Sequence, residues 1–471
     1  MKRLSQLRDD SGQALIIAAL CMVVLIGFLG MAVDIGFVRY EQRRLQNAAD
    51  ATALAAALEV RVCGSTANCA AMQAAVQNAM TENGYSNSTV ITNCSTPGAG
   101  LTVMVNNPVC LDNSDPNKSK YNYVETQVSE TTPLYFSQIF GFTGFKMNAH
   151  AQAARGLGGP CMYALNPSAS GALNIAIGLG FKSSCGVVVE SSSPTSVNCL
   201  LGLGVTAPEV RVSPTGGGAS LLCLGSTHVT RAPLPVPADP LAYLPIPSNA
   251  TAPCGTGLSG GVFNGSPTPV TLLLPLLANY TFNPGVYCGG ISITASVLSS
   301  ITFNPGTYII SNYQGPPFLG ITPPPVSNGF VLTIGALSNI QGNGITVYNQ
   351  SVNGFALTLP SLPLGLSNFS FSAPTSGQYG GILFWQARTS TSTGVFLAPT
   401  ILSGLQFNGI IYEPGATVTY AVPLLSTAGS YNGIVADKLQ FNATILSTFS
   451  NDYSSLQSGS PFNGDQSELV Q

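Results

Sequence analysis

The hydrophobic pattern is dominated by one run near the start of the chain. No charged residue occurs from Ala14 to Val33, and about 20 apolar residues are what a helix needs to cross a bilayer. Asp34, Arg39, Glu41, Arg43 and Arg44 then make the pattern polar, yet no Pro or Gly interrupts the chain between Phe37 and Val60. The helix is therefore predicted to continue well past the membrane. Within LQNAADATALAAAL, the residues Leu45, Ala48, Ala49, Thr52, Ala55 and Ala56 recur three or four apart. They form one face of small side chains, on which another helix can approach closely. A cleaved signal peptide is the competing reading. The run is longer than a usual signal core, no A-x-A site follows it closely, and the helical pattern continues unbroken.

Downstream, Thr66 to Thr81 places Cys69, Met72, Val76 and Met80 at helical spacing before the stop signal Asn83-Gly84. Thr89 to Thr92 and Leu101 to Val105 read as short strands separated by turn residues, and YVETQVSE from Tyr123 to Glu130 alternates as a half-buried strand. Leu134 to Phe140 reads as a short helix ending at Gly141, and Lys146 to Ala154 as a strand. Together these predict a small α+β module on the long helix. Gly156 to Pro160 is flexible and helix-breaking, and marks a boundary.

Beyond it the runs are short, apolar or β-branched, as at Leu173 to Ile177, Gly186 to Glu190 and Glu209 to Val212. Arg231 to Pro253 carries seven prolines and is predicted to be an extended strap, its Leu241, Tyr243, Leu244 and Ile246 favouring a surface to lie on. FNPGVY at Phe282 and FNPGTY at Phe303 then repeat, with YEPGAT at Tyr412 and FNG or YNG at Phe263, Phe407 and Tyr431. A period of about 20 to 25 residues suits one coil of a β-solenoid. Further rungs are expected at Gly329 to Ile334, Asn343 to Tyr348, Phe369 to Phe371, Gly381 to Trp385 and Asn432 to Ala436. A β-sandwich is the alternative.

Composition sharpens this picture. Only 7% of the 471 residues are charged, 51 are Gly and 33 Pro, and the net charge is -3. Such a balance gives no electrostatic reason to expect nucleic acid as a partner. It suits a β-rich body outside the cytoplasm. Of 11 cysteines, Cys21 falls in the apolar span. The other ten are Cys63, Cys69, Cys94, Cys110, Cys161, Cys185, Cys199, Cys223, Cys254 and Cys288, an even set that reads as disulfides in an oxidising compartment. Pairing in sequential order is the expectation, although sequence alone does not fix connectivity. With no C-x-x-C and only His150 and His228, no zinc site is expected. Lys2, Arg3 and Arg8 before the span nearly balance Arg39, Arg43 and Arg44 after it. The cysteines decide the orientation in favour of an exported C-terminal side.

The G-Q-A run, the apolar span, A-V-D-I-G at Ala32 to Gly36 and R-L-Q-N-A-A-D-A-T-A-L-A-A-A at Arg44 to Ala57 together resemble the N-terminal segment of TadG-like Flp (tight adherence) pilus-assembly proteins. The resemblance extends more loosely to about Arg155. Its anchor pattern falls on Gly12, Ala14, Asp34, Gly36, Leu45, Gln46, Asn47, Ala49, Asp50 and Ala53. It implies a membrane-tethered component without catalytic residues or a small-molecule cofactor, working with other pilus-assembly membrane components or pilus subunits. A softer likeness links CMYALNPSASGALNI, GVVVESSS, GNGITVYN and YGGILFWQ to the β-helical ectodomain that follows this segment in some such proteins. The D-x-S-x-S metal triplet of the von Willebrand A-type domain in other members is absent.

The expected organisation is a cytoplasmic N-terminus (1–13), a transmembrane helix (14–33), a TadG-like α+β module (34–155), the start of a β domain with its strap (156–253), and a β-solenoid-like body (254–471). The fold expected for that body is a right-handed parallel β-helix, lying in the periplasm of a protein held in the inner membrane. A free-standing adhesin and a β-helical carbohydrate-active enzyme are the alternatives. Glycoside hydrolysis needs two facing carboxylates; the acids after Arg155 include Glu190, Glu209, Asp239, Glu413, Asp437, Asp452, Asp465 and Glu468, of which Asp437 beside Lys438 is the strongest candidate against a simple turn salt pair. G-x-S-x-G at Gly257 to Gly261 lacks the strand and helix of a nucleophile elbow and reads as a loop. Asp112, Ser114 and Asp115 read as a solvated turn rather than a calcium site, and Trp385 as a rung residue rather than a sugar platform. Asp34 is expected at the membrane edge, where it contacts a partner subunit.

Overall fold

The computed structural model describes residues 11–63, 66–95, 100–155, 159–176, 181–199, 205–220, 229–234, 238–274, 277–295, 298–317, 322–335, 338–358, 368–397, 405–421, 430–442, 447–462 and 467–470. Helix α1 runs unbroken from Ser11 to Cys63, about 80 Å at 1.5 Å per residue. Its first part is naked: Leu15, Ile16, Leu20, Val24, Phe28 and Leu29 are all exposed. From Leu45 onward one stripe is fully covered, with Ala48, Ala49, Thr52, Ala53, Ala56, Ala57 and Val60 at zero exposure. That stripe lies on a sheet made of β1 (Thr89–Thr92), β2 (Thr102–Asn106), β3 (Tyr123–Pro133) and β4 (Gly144–Arg155). β1 and β2 are parallel, and the following pairs are antiparallel. Ala149, Ala151 and Ala153 of β4 join Val124 and Val128 of β3 in the same core. Small residues therefore face small residues, and the helix sits close on the sheet. Helix α2 (Ala70–Glu82) closes this core with Met72, Val76 and Met80.

The sequence-expected helix at Leu134 to Phe140 shrinks to a 3-10 turn, Ser137–Phe140. The backbone N–H groups of Tyr135, Phe136 and Ser137 turn outward to Asp34, and Gly141 ends the turn at φ 86, so no α-helical turn can propagate.

The body beyond Pro160 is a solenoid of parallel strands, whose pairing rules out the sandwich alternative. Its coils are not laid down in one direction. Pro160–Ala164 pairs with Gly186–Val189, which pairs with Val210–Val212 and then Val229–Arg231. The chain next crosses to the far end, and coils return one by one from Val262–Ser266 to Asn432–Phe441. That last strand pairs in parallel with Pro160–Ala164 and Leu173–Ile175. Strands on both sides of residue 253 thus share one ladder.

The proline-rich segment makes the crossing. Asp239 accepts from the Tyr412 hydroxyl at 2.6 Å, Arg388 donates to the carbonyls of Leu241, Ala242 and Leu244, and Gln350 donates to that of Ala250. Cys254 then bonds to Cys288. Proline suits this path because it fixes an extended backbone and lacks the N–H that a coil edge would leave unpaired.

The FNPG repeats stack as their spacing predicts. Phe282 pairs with Phe303, the rings of Phe263, Phe282 and Phe303 stack at centroid distances of 4.7 and 4.8 Å, and Asn264, Asn283 and Asn304 form an amide ladder at 2.6 Å per step. This column continues through Gly342 and Phe371 to Phe407. YEPGAT does not belong to it. Phe407 already fills the position, and Tyr412 stacks with Trp385 on the next face. Tyr431 is also out of phase, since Gly409 pairs with Asn432 rather than with Gly433.

Residues Ser467–Leu469 return to the α+β module, the neck between α1's exposed part and the solenoid. They add a strand antiparallel to β4, and the Arg155 guanidinium donates to the carbonyls of Leu58 and Phe462. Arg61 lies over the Tyr243 ring at 4.2 Å. The last residues of the 254–471 segment therefore pair with the 34–155 module.

Candidate functional site

Asp34 is the focus of the anchor. Although it follows an exposed apolar helix, it is itself buried. Its carboxylate accepts from the backbone N–H groups of Tyr135, Phe136 and Ser137 and from the Ser137 hydroxyl, at 2.6 to 3.2 Å. Three successive amide donors aimed at one carboxylate make an anion nest. The sequence reading assigned Asp34 to a partner subunit; the structure assigns it to its own chain, 101 to 103 residues away. The close approach depends on Gly30, where an added Cβ would meet the Phe136 side chain at 2.9 Å.

The rest of the anchor pattern divides by face. Leu45, Ala49 and Ala53 are buried on the sheet. Gln46 donates to Asp50 and to the His150 carbonyl, tying α1 to β4. Gly36 and Asn47 are exposed, and Gly12 and Ala14 lie on the first turn of α1. The small-residue face read as a helix-docking surface is therefore occupied by the module's own sheet. Thr52 and Thr126 share the Ala49 carbonyl across that contact, so packing inside the module consumed the face.

A second buried carboxylate, Glu125, escaped the sequence reading because it sits in an ordinary alternating strand. Its Oε1 accepts from Asn106 Nδ2 and from the N–H groups of Cys110 and Leu111, and Oε2 lies 3.5 Å from His150 Nε2. Burial alone would raise its pKa. The hydrogen bonds from His150, Cys110, Leu111 and Asn106 outweigh that and hold it below the ordinary value. Nearby, the backbone N–H and hydroxyl of Ser114 both donate to Asp112, and the N–H of Asn117 donates to Asp115. Their carboxylates cap turns.

Cys63 joins Cys69, Cys94 joins Cys110, Cys161 joins Cys185, and Cys254 joins Cys288. Cys199 is also disulfide-bonded, while Cys223 lies outside the described residues.

In the solenoid, Trp385 is fully buried between Tyr348, Tyr379 and Tyr412, and Arg388 lies over it. It is a rung residue with no face open to a sugar. Asp437 accepts both amide hydrogen bonds from Asn166, and the described ion pairs do not include Asp437 with Lys438. Glu209 pairs with Arg211. Asp465 lies outside the described residues. Ser259 stands in a β-hairpin, with Leu258 opposite Phe263, whose turn residues Gly260 and Gly261 both take positive φ. A mirror-image two-residue turn needs that geometry, and a nucleophile elbow does not have it.

Glu413 is unusual. It is fully buried, and neither carboxylate oxygen has a hydrogen-bond partner. Burial drives its pKa well above the ordinary 4.5, opposed weakly by the neighbouring Gly394 N–H. Glu190 is also raised by burial, to about 7.

The two buried glutamates give opposite pH responses. Glu413 has a raised folded pKa, so its favourable contribution is complete below pH 4.5 and is lost as pH rises. Relative to Glu413→Gln, the wild-type solenoid should lose up to about 1.4 kcal/mol per pH unit above that point. Glu125 has a depressed folded pKa, so its contribution is present above 4.5 and lost as pH falls. Denaturant midpoints of wild type, Glu413→Gln and Glu125→Gln from pH 8 down to about pH 2 test this, the upper half of the range reading Glu413 and the part below 4.5 reading Glu125. Parallel curves for wild type and Glu413→Gln would refute the buried-acid assignment.

These features define a class: a membrane-tethered protein whose long helix carries an α+β neck and a disulfide-tied β-solenoid. The Flp pilus-assembly TadE/G-like family model matches residues 12–59, and the Tad-like Flp pilus-assembly model matches residues 46–153. Residues 12–153, about the N-terminal third of the chain, are thus similar to TadG-like Flp pilus-assembly proteins, and the two matches support a structural or assembly role in a Tad pilus system. Comparison with curated proteins and with solved structures finds no match. The family implies interaction with other pilus components at a membrane and points to a non-enzymatic role.

Proposed function

We propose that the chain is a single-pass inner-membrane protein with its N-terminus in the cytoplasm, and that it carries its solenoid into the periplasm as a rigid, non-catalytic body of the pilus machine. Residues 1–13 are cytoplasmic, 14–33 cross the membrane, 34–155 form the neck, and 156–253 with 254–471 build the ectodomain. The observation that carries this reading is the continuity of α1 from its exposed apolar part into the covered stripe of the neck. A helix without a break transmits position and force between membrane and ectodomain, which an assembly component requires. The disulfides, all beyond the span, support export. The non-catalytic reading rests on the state of the acids: Glu413 is sealed in the core, Asp239 holds Tyr412, and Asp437 holds Asn166. The exposed surface of the solenoid is then the side offered to pilus subunits or other pilus-assembly membrane components.

Thiol labelling of intact and permeabilised cells, with and without reductant, combined with protease protection of the region after Arg155, tests the topology. Labelling of the ten cysteines beyond the span only after reduction, together with protease access once the outer barrier is opened, is the expected result. Free labelling with the region protected inside would reverse the orientation. Co-purification with pilus components, absent for a free-standing adhesin, tests the assembly role.

A further inference from the structure

The segment between β3 and β4 carries an apolar surface that the neck does not use. From Thr131 to Phe145 there is no charged residue, and Glu130 and Lys146 flank it. Tyr135, Ile139, Phe140, Phe142 and Phe145 are 52 to 82% exposed. Their position is fixed by contacts on α1. Phe136, Ile139 and Phe140 share a cleft with Val23, Ile26, Gly27, Gly30 and Met31, and the Asp34 nest pins the top of the segment. With a rise of 1.5 Å per residue, Gly30 lies roughly 6 Å and Gly27 roughly 10 Å inside the level of Asp34. Side chains packed there stand at the depth of the apolar span itself.

We propose that the Leu134–Phe145 segment is a second membrane element, a finger that dips into the outer leaflet of the bilayer alongside α1. Its occupant is lipid: acyl chains around Ile139, Phe140 and Phe142, with Tyr135 and Lys146 near the headgroups. Two observations carry the assignment independently. The first is continuity, since the finger extends the exposed apolar surface of a helix built to lie in lipid. The second is that many of its backbone N–H groups are bonded within the protein, which lowers the cost of holding non-helical chain at the headgroup and acyl boundary. Tyr135, Phe136 and Ser137 donate to Asp34, Leu134 to Thr143, Ile139 to Phe136, Gly141 to Gln138 and Phe142 to Ser137. Asp34 is thereby shielded at the membrane edge, where an unpaired carboxylate would be unfavourable. The finger fixes the depth and rotation of the helix relative to the neck, so the solenoid leaves the membrane at a set angle.

The test uses the full-length chain in phosphatidylcholine vesicles with brominated acyl chains. Phe140→Trp, and separately Phe142→Trp, report on the finger, Leu29→Trp is the control within the span, and native Trp385, sealed in the solenoid, is the unquenched reference. The expected result is a blue-shifted new emission, with a quenching ratio of about one between finger and span reporters. A quenched Leu29→Trp beside unquenched finger reporters would overturn the proposal. Quenching of neither would overturn the anchoring on which it rests. Finger quenching abolished by co-reconstituted pilus-assembly membrane proteins would overturn it in favour of a protein partner.

Discussion

Replacing Asp34 by Ala should release the Leu134–Phe145 segment from α1 while leaving the neck and solenoid folded. The substitution orphans the N–H groups of Tyr135, Phe136 and Ser137 and the Ser137 hydroxyl together. All four lie beside an apolar helix, where water does not readily replace the lost acceptor. Amide exchange at Tyr135 to Ser137 should rise roughly ten- to a hundredfold, since charge-assisted hydrogen bonds are the stronger kind and their donors are left bare. Asp34→Asn should fall between the two, because its single carbonyl oxygen can serve only some of the donors. Exchange mass spectrometry on membrane-embedded protein reads the effect, with peptides from the Phe282 and Phe303 coils as the unaffected reference. Unchanged exchange in Asp34→Ala would show that the segment is held by Phe136 on Gly30 alone.

The largest loss of stability is expected from Trp385→Ala. Trp385 has zero exposure and stands in a column with Tyr348 and Tyr412, with Tyr379 at its edge. Truncation leaves a cavity that stacked parallel strands cannot easily collapse, and the cost should be about 3–5 kcal/mol. The effect should also reach the strap. Arg388 lies over both Trp385 and Tyr412 and binds the carbonyls of Leu241, Ala242 and Leu244. Far-UV circular dichroism in urea should show a lower midpoint, and limited proteolysis should cut near Tyr243 first. An unchanged midpoint would mean that the aromatic column is not the core of these coils. Trp385→Phe, which keeps a ring in the column, should lose much less.

What the sequence by itself determined about this protein is local in origin. An apolar run of bilayer length, and the lack of helix breakers after it, dictate α1 wherever the rest of the chain goes. The FNPG phrases dictate a column of stacked aromatics because each coil repeats the same short-range geometry. YEPGAT shows the limit of that signal. A similar phrase, an aromatic two residues before Pro-Gly, occurs one face later, and only the pairing of Phe407 with Phe371 and of Tyr412 with Trp385 separates the two columns. The drift in spacing has the same cause, since later coils carry longer excursions between Phe303, Gly342, Phe371 and Phe407.

The tertiary structure alone decided which distant residues meet. Periodicity says that Leu45, Ala48 and Ala49 share a face, but not whether a second protein or the chain's own β3 and β4 will cover it. It marks Asp34 as a polar residue at the membrane edge, but not that three amides more than 100 positions away are aimed at it. Glu125 and Glu413 look alike in sequence, each an acid in a strand. One is ringed by donors, while the other has no hydrogen-bond partner and only the Gly394 N–H beside it, so their titrations move in opposite directions. The closure of Asn432–Phe441 on Pro160–Ala164, and the return of Ser467–Leu469 to β4, are likewise unreadable from any window of residues. Each depends on two unpaired strand edges finding one another across the whole chain, and an edge leaves no mark on the residues that form it.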